Sequence, residues 1–322
     1  MTSDPFSDIL KLTSAETVVS GGFTAGGPWS IRFPSMDKIT FAALVKGSYW
    51  LSIDGQAAPV HIEAGDVFLI LPQRSFVAAR DLETPPVDAA QLFGGGATGL
   101  VKVLEGDECT QIGGFVRLDP ISGKLLTDVL PPLIHVKAAS PQSMVLQWLV
   151  DRLFREKVAD LAGAPVASAH LAQLMFVQIL RAHLAQAEAL PAGWLRALGD
   201  ARIAPALRLM HGEPGKAWQL EELARSAAMS RTTFAERFKT VAGVPPLTYL
   251  HLWRMRLAER ALRDGDMPLS ALAHSLGYAS DSAFSSAFKR TFGVAPKRYR
   301  DTARADAAKR APAENSLPRS IR

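Results

Sequence analysis

The stretch FKRTFGVAPKRYR, residues 288–300, decides the reading of this chain, because a close copy stands fifty residues earlier as FKTVAGVPPLTYL, residues 238–250. Phe, Lys, Gly, Val, Pro and Tyr recur in step. Extended backwards, the copies become LARSAAMSRTTFAERFKTVAGVPPLTY (223–249) and LAHSLGYASDSAFSSAFKRTFGVAPKRY (272–299). The second is one residue longer, and the extra residue falls in a turn. Each copy reads as a short helix, a turn and a second helix. Phe234 and Phe238, like Phe284 and Phe288, are four residues apart, which puts each pair on one helical face. The residues between them are small or polar and are directed elsewhere. A helix-turn-helix presents such a second helix to the DNA major groove. PLTYLHLWRMRLAERALRDG (246–265) joins the copies, with Leu250, Trp253, Leu257 and Ala261 expected to form its buried stripe. A helix of that length spans roughly 27 Å, comparable with one turn of DNA.

Charge agrees with this placement. The net charge of +5 is split into −4 over Met1–Gly199 and +9 over Asp200–Arg322. A basic C-terminal half suits a polyanionic partner. With 322 residues, 48% of them apolar, the chain is long enough for two domains with a sizeable core. Its single cysteine, Cys109, excludes an intrachain disulfide. MTSDPFSDILKL has an early acid and no cationic start, so no signal peptide is expected. No apolar run is long enough to span a bilayer. A cytoplasmic protein is the expectation.

Residues 1–136 read as strands with Gly-rich turns at Asp54-Gly55 and Gly65-Asp66, and GLVKVLEGDECTQIGGFVRLDP (99–120) reads as two strands about a turn. Such spacing suggests a β-barrel or sandwich. From Ser140 the period becomes helical, over 140–161 and again over 166–190. The second of these helices is apolar almost all round and is expected to be buried, in the core or against a partner subunit. Residues 200–300 read as all helix and 301–322 as disordered. The fold class expected is α+β and multidomain.

Two helix-turn-helix units joined by a helix and closed by Gly293, Pro296, Tyr299 and Arg300 resemble the AraC/XylS family of transcription regulators. The likeness runs from about Ala204 to Arg300, with Ala228 standing where the family usually has glycine in the first turn. The resemblance implies that Thr232, Thr233, Glu236 and Arg237 face bases in one groove. Ser282, Ser285 and Ser286 would face the second groove, and Ser280 and Asp281 are further DNA-binding candidates. Arg231, Lys239, Lys289 and Arg290 are expected to hold phosphates, which position without specifying. It also implies contact with RNA polymerase and activation.

DPFSDIL (4–10), PWSIRFP (28–34), VKGSYWLSIDG (45–55), IEAGDVFLILP (62–72) and PPLIHV (131–136) resemble the cupin-like sensor domain found before some AraC-type DNA-binding domains. This implies a cupin-like β-barrel over 1–136, a helical connector or dimerisation segment over 137–199, and an all-α tandem helix-turn-helix domain over 200–300. His61 and His135 are too few for the usual cupin metal site, so no metal or other cofactor is expected. Trp29, Arg32, Trp50, Arg74 and Phe76 are candidates for the wall of a small-molecule effector site. The alternative is that the tryptophans only fill the core. Cys109 is a candidate redox sensor, but Glu105, Asp107 and Glu108 lie close to it and work against a thiolate. GGGATG (94–99) spells a dinucleotide fingerprint, yet a strand pattern follows where a helix is needed, so a hairpin loop is expected there. A non-enzymatic, dimeric, DNA-binding regulator is the resulting expectation. The rivals are a cupin enzyme with a helical appendage and a non-specific nucleic-acid-binding protein.

Overall fold

The computed structural model describes residues 3–94, 99–159, 161–185 and 190–314. It divides into two compact units, one of Ile9–Leu190 and one of the residues from Pro191 onward together with those up to Asp8.

The first unit holds the strands. A short helix α1 (Pro5–Leu12) leads into β1 (Glu16–Ala25), β2 (Ser30–Phe33), β3 (Ile39–Lys46), β4 (Ser48–Ile53), β5 (Val60–Glu63), β6 (Val67–Ile70), β7 (Phe76–Ala79) and β8 (Val87–Asp88). Then follow helix α2 (Ala89–Phe93), β9 (Leu100–Val103), β10 (Cys109–Arg117), helix α3 (Lys124–Thr127) and β11 (Leu133–Val136). One sheet has the order β11-β6-β3-β10-β1-β9 and the other β5-β4-β7-β2-β8. Both contribute to one core that includes Phe23, Trp29, Ile31, Leu44, Tyr49, Leu51, Phe68 and Phe76. Alternation decides what enters it: β4 reads SYWLSI, and Tyr49, Leu51 and Ile53 are buried while Ser48, Trp50 and Ser52 are not.

The two expected turns behave differently. Asp54-Gly55 lies in a true hairpin connection, between the antiparallel strands β4 and β5. Gly65-Asp66 instead carries the chain from one sheet to the other. Asp66 is 3% exposed and ties that crossing down. It accepts from Glu63 N at 3.1 Å and Ala138 N at 2.7 Å, and pairs with His135 Nε2 at 2.7 Å. β9 and β10 are not a hairpin either, because β1 lies between them, parallel to β9 and antiparallel to β10. Gly94 follows helix α2, so the GGGATG segment has a helix before it and a strand after it, the reverse of a dinucleotide fingerprint. Residues 95–98 of the expected hairpin loop lie outside the described residues.

Helices α4 (Ser143–Ala159) and α5 (Ala164–Leu184) belong to this unit and pack on the larger sheet. Thr17 Oγ1 of β1 donates to Gln173 Oε1 of α5 at 2.7 Å. Helix α4 starts at Ser143 rather than at Ser140, because Ser140 and Pro141 form a turn whose Ser140 carbonyl accepts from Ser143 N at 3.0 Å. Helix α5 buries Met175, Phe176, Ile179 and Leu180 but leaves Val166 and Leu174 exposed, so its apolar character is only partly used.

The second unit is helical: α6 (Trp194–Gly199), α7 (Ala204–Gly212), α8 (Leu220–Ser226), α9 (Arg231–Ala242), α10 (Pro246–Asp264), α11 (Leu269–Ser275), α12 (Asp281–Phe292) and α13 (Pro296–Glu314). Helix α6 packs against α7 and α9, with Trp194, Leu195 and Ala197 buried. Residues 191–199, expected in the connector, therefore belong with the helical unit. The disorder expected from residue 301 is also not what is found, since α13 continues to Glu314. From Asp301 to Ala311 its sequence is rich in Ala, Arg and Lys, which are good helix formers, and Arg304 pairs with Asp266. Residues 315–322 of that expected tail lie outside the described residues.

Helix α10, nineteen residues and roughly 28 Å long, serves two cores. Leu250 joins Phe234 and Phe238 around the first motif. Met255, Ala258 and Leu262 join Phe284 and Phe288 around the second. The expected stripe holds at Leu250 and Trp253, while Leu257 and Ala261 are only half-buried because the buried face rotates between the two cores. Each of the four phenylalanines is fully buried, worth about 1.5–3 kcal/mol apiece.

Candidate nucleic-acid interface

Helices α9 and α12 are built by the same local rules. Ser230 Oγ accepts from Thr233 N and Ser280 Oγ from Ala283 N, both at 3.2 Å, so each helix opens on a serine cap. Each runs twelve residues and ends on a left-handed glycine, Gly243 at φ 79° and Gly293 at φ 78°. Each is followed by a helix with proline in its first turn, and a tyrosine from that helix returns to the core. Tyr249 meets Phe238 edge-on at 5.7 Å, and Tyr299 meets Phe288 at 5.5 Å. Their hydroxyls differ in partner. Tyr249 bonds the buried His211 Nε2 at 2.8 Å, and Tyr299 donates to the buried Glu259 Oε1 at 3.1 Å.

The turns before these helices need a positive φ. Gly277 supplies it at 78°, and Ala228 adopts 51°. Alanine is thus held in the conformation that glycine takes freely in the second copy.

With the Phe faces buried, the opposite faces are open. On α9 the exposed residues are Arg231, Thr232, Thr233, Glu236, Arg237, Lys239 and Thr240. On α12 they are Asp281, Ser282, Ala283, Ser286, Lys289 and Arg290, and Ser285 is half-buried. At 3.6 residues per turn, Glu236 and Ser286 sit about 180° from their Phe pairs. Arg237 is only about 80° away, on the flank. Its in-register counterpart Ala287 is buried at 5% exposure, and its guanidinium is bound by Asp200 (Nη2 to Oδ2, 2.7 Å). Arg231 pairs with Glu221 at 2.9 Å. Ser280 spends its hydroxyl on the cap.

Sequence reasoning passed over three kinds of residue here. Thr240 shares the exposed face of α9, and its hydroxyl donates to Glu236 O at 2.9 Å. Lys297 and Arg298 are exposed in the first turn of α13, and the extra charge of the second copy was their signal. Asp200, the partner of Arg237, has no local signature.

In the first unit the five candidate wall residues do not converge. Trp29 is buried against Phe23 at 5.2 Å and Tyr49 at 5.6 Å. Phe76 is buried and stacked on Phe33 at 4.7 Å. Trp50 is directed away from the core onto His61 at 4.8 Å. Arg32 is exposed, and Arg74 donates to Asp54 O at 3.2 Å. Among the described residues no group of three or more His, Cys, Asp or Glu side chains converges as a metal site. Cys109 is buried, and desolvation pushes its thiol up to about 12. Burial, not the acids beside it in sequence, opposes a thiolate.

Comparison with known proteins agrees with this anatomy. Residues 4–185 match the Cupin family and residues 223–302 a helix-turn-helix domain. An AraC-like transcription regulator of Streptomyces antibioticus is 38% identical over 282 residues, 88% of this chain and 93% of that protein. The HTH-type transcriptional regulator AlkR of Acinetobacter baylyi is 29% identical over 277 residues, 80% and 86% of the two chains. Among solved structures, the DNA-binding domain of the global transcriptional factor AdpA in complex with a target DNA matches 33% of this chain and 95% of that one. Its identity is 31% and its TM-score 0.31. On its Cupin front, its helix-turn-helix back and its 38% identity to the Streptomyces antibioticus regulator along most of its length, the chain belongs to the AraC-like family of DNA-binding transcription regulators.

Proposed function

We propose that the chain reads promoter DNA by laying α9 and α12 in successive major grooves. The observation that carries this is the pair of equivalent exposed faces, centred on Glu236 and Ser286, at the two ends of one 28 Å helix. Thr232, Thr233 and Glu236 meet base edges in one groove, and Ser282 and Ser286 in the next. Lys239, Lys289, Arg290, Lys297 and Arg298 hold phosphates. Arg237 braces α9 from its flank. The regulator acts by binding rather than by catalysis, in the cytoplasm, and an effector bound to the N-terminal unit shifts the population of DNA-competent states. A contact with RNA polymerase completes activation. Two copies associate through the open faces of α4 and α5, where Met144, Trp148 and Leu174 are exposed.

The test is a selection of bound fragments from sheared genomic DNA at near-physiological salt, followed by variants on the recovered site. Glu236→Ala should change the preference at one or two base pairs. Lys239→Ala should weaken all sequences alike and reduce the salt slope by about 1. Uniform recovery of fragments, with and without cell extract, would instead favour the non-specific reading. For the dimer, Trp148→Glu should yield a monomer in sedimentation.

A further inference from the structure

A cavity of about 450 Å³ lies between the two sheets, where α2 and the segment after β2 meet β1, β3 and β10. Strand register explains the space. Gly21 of β1 pairs with Gly113 of β10, and Gly113 pairs with Ala42 of β3. Three neighbouring strands thus place nothing larger than a methyl group along one row of the floor, and all three residues line the cavity. The row resists filling at its centre, since a Cβ on Gly113 would stand 2.8 Å from Phe41 O.

The walls are aromatic. Phe33 stacks on Phe76 at 4.7 Å and on Phe93 at 5.9 Å, and Phe93 approaches Phe23 at 6.3 Å. One amide enters this surface: Gln111, 8% exposed. Its Oε1 accepts from the buried Tyr49 hydroxyl, which fixes the amide in place. With the oxygen used, the amide nitrogen is the donor left for a ligand. Small-molecule sites have this size and this make-up, apolar walls with a few placed polar groups.

We infer that this cavity takes a compact, largely hydrocarbon molecule carrying one hydrogen-bond acceptor, such as a carbonyl, that faces Gln111. A sugar or a polyanion would leave its polar groups unpaired against phenylalanine. As the site of the effector, the cavity rests on the reading of the N-terminal unit as the sensor.

The test uses the full chain and two probes of one shape, 1-tetralone and tetralin, titrated calorimetrically without DNA. The ketone should bind, and the hydrocarbon should bind roughly threefold to tenfold more weakly. Ala42→Leu, which grows into the cavity from its floor, should lose both. The double variant Tyr49→Phe, Gln111→Met replaces both hydrogen-bond partners together and leaves no orphaned group. It should bind the two probes equally. Failure of both probes to bind, or undiminished binding to Ala42→Leu, overturns the inference. Affinity for a selected DNA fragment is then measured with the ketone bound. An unchanged value overturns the sensor reading and leaves the ligand chemistry of the cavity standing.

Discussion

Arg237 grips Asp200 with a two-bond fork, Nη2 to Oδ2 at 2.7 Å and Nε to Oδ1 at 3.3 Å. Asp200 also accepts from Arg202 N at 3.0 Å and Ile203 N at 3.3 Å. Burial raises the carboxyl, but the bonds from Arg237 and the two backbone amides outweigh it and hold it below the usual range. This stability is present above the unfolded-state pKa and is lost as pH falls through the folded one. Arg237 is 41% exposed, so solvent screening leaves the fork worth about 1 kcal/mol. Arg237→Ala should lower stability by that amount and weaken DNA binding to a similar degree on every sequence. A double-mutant cycle with Asp200→Ala measures the coupling, and a base-specific loss would make Arg237 a reader after all.

Ala228 at φ 51° and Gly277 at φ 78° occupy equivalent turns. Ala228→Gly should stabilise the helical unit by about 1 kcal/mol, the usual cost of left-handed backbone with a Cβ. Gly277→Ala should be the more harmful change, because its Cβ would meet Gly215 O at 2.1 Å. Urea unfolding of the three proteins orders them.

Tyr299 and Tyr249 close equivalent cores on unlike partners. Tyr299→Phe strips one bond from the buried Glu259, which keeps Arg256 at 3.2 Å. Tyr249→Phe strips His211 Nε2. Losing a partner of a buried carboxyl is the costlier event, so Tyr299→Phe should cost about 2 kcal/mol and Tyr249→Phe about 1 kcal/mol. Thermal unfolding compares them.

His211 stacks on Trp253 at 4.0 Å, and its Nδ1 lies 3.4 Å from Asp8. Burial pushes it below the usual histidine range, and Asp8 offsets this only in part. Its folded pKa lies below its unfolded one, so stability is complete above about pH 6.5 and declines as pH falls below it. Asp8→Asn removes the offset and should steepen the decline. Melting temperatures between pH 8 and pH 5 give the slope.

Cys109 should resist a disulfide reagent at pH 8 in the native state and react at once in denaturant. Its thiol is buried and pushed up to about 12. Rapid native labelling would restore it as a redox candidate.

The tandem motif was legible nearly to the residue because each repeated letter has a mechanical duty. Gly243 and Gly293 permit a left-handed cap, Ser230 and Ser280 open helices, and the Phe and Tyr pairs fill cores. The resemblance puts Arg237 on a base, while its alignment with the buried Ala287 marks its flank as packed, and the double-mutant cycle with Asp200 decides between the two roles. Trp50 was also readable: it alternates with Ser48 and Ser52, and period two puts it outside with them. Other features depend on packing between distant segments. Nothing local in Trp194 or Leu195 says that α6 packs with α9, and nothing in residues 99–120 says that β1 will come between the two strands. The cavity was hidden for the same reason, since Gly21, Gly113 and Ala42 meet only through register.

The order of the larger sheet also bears on how the chain is made. Its inner strand β1 leaves the ribosome early, but both of its partners, β9 and β10, lie beyond residue 99. Some eighty to ninety residues must be added first, on the order of 5–20 s of synthesis. Throughout that interval a strand with two bare edges waits for its neighbours, the state in which nascent chains aggregate or recruit chaperones. Yield of this protein should therefore respond more to the rate of translation through residues 26–117 than to changes in its DNA-binding half.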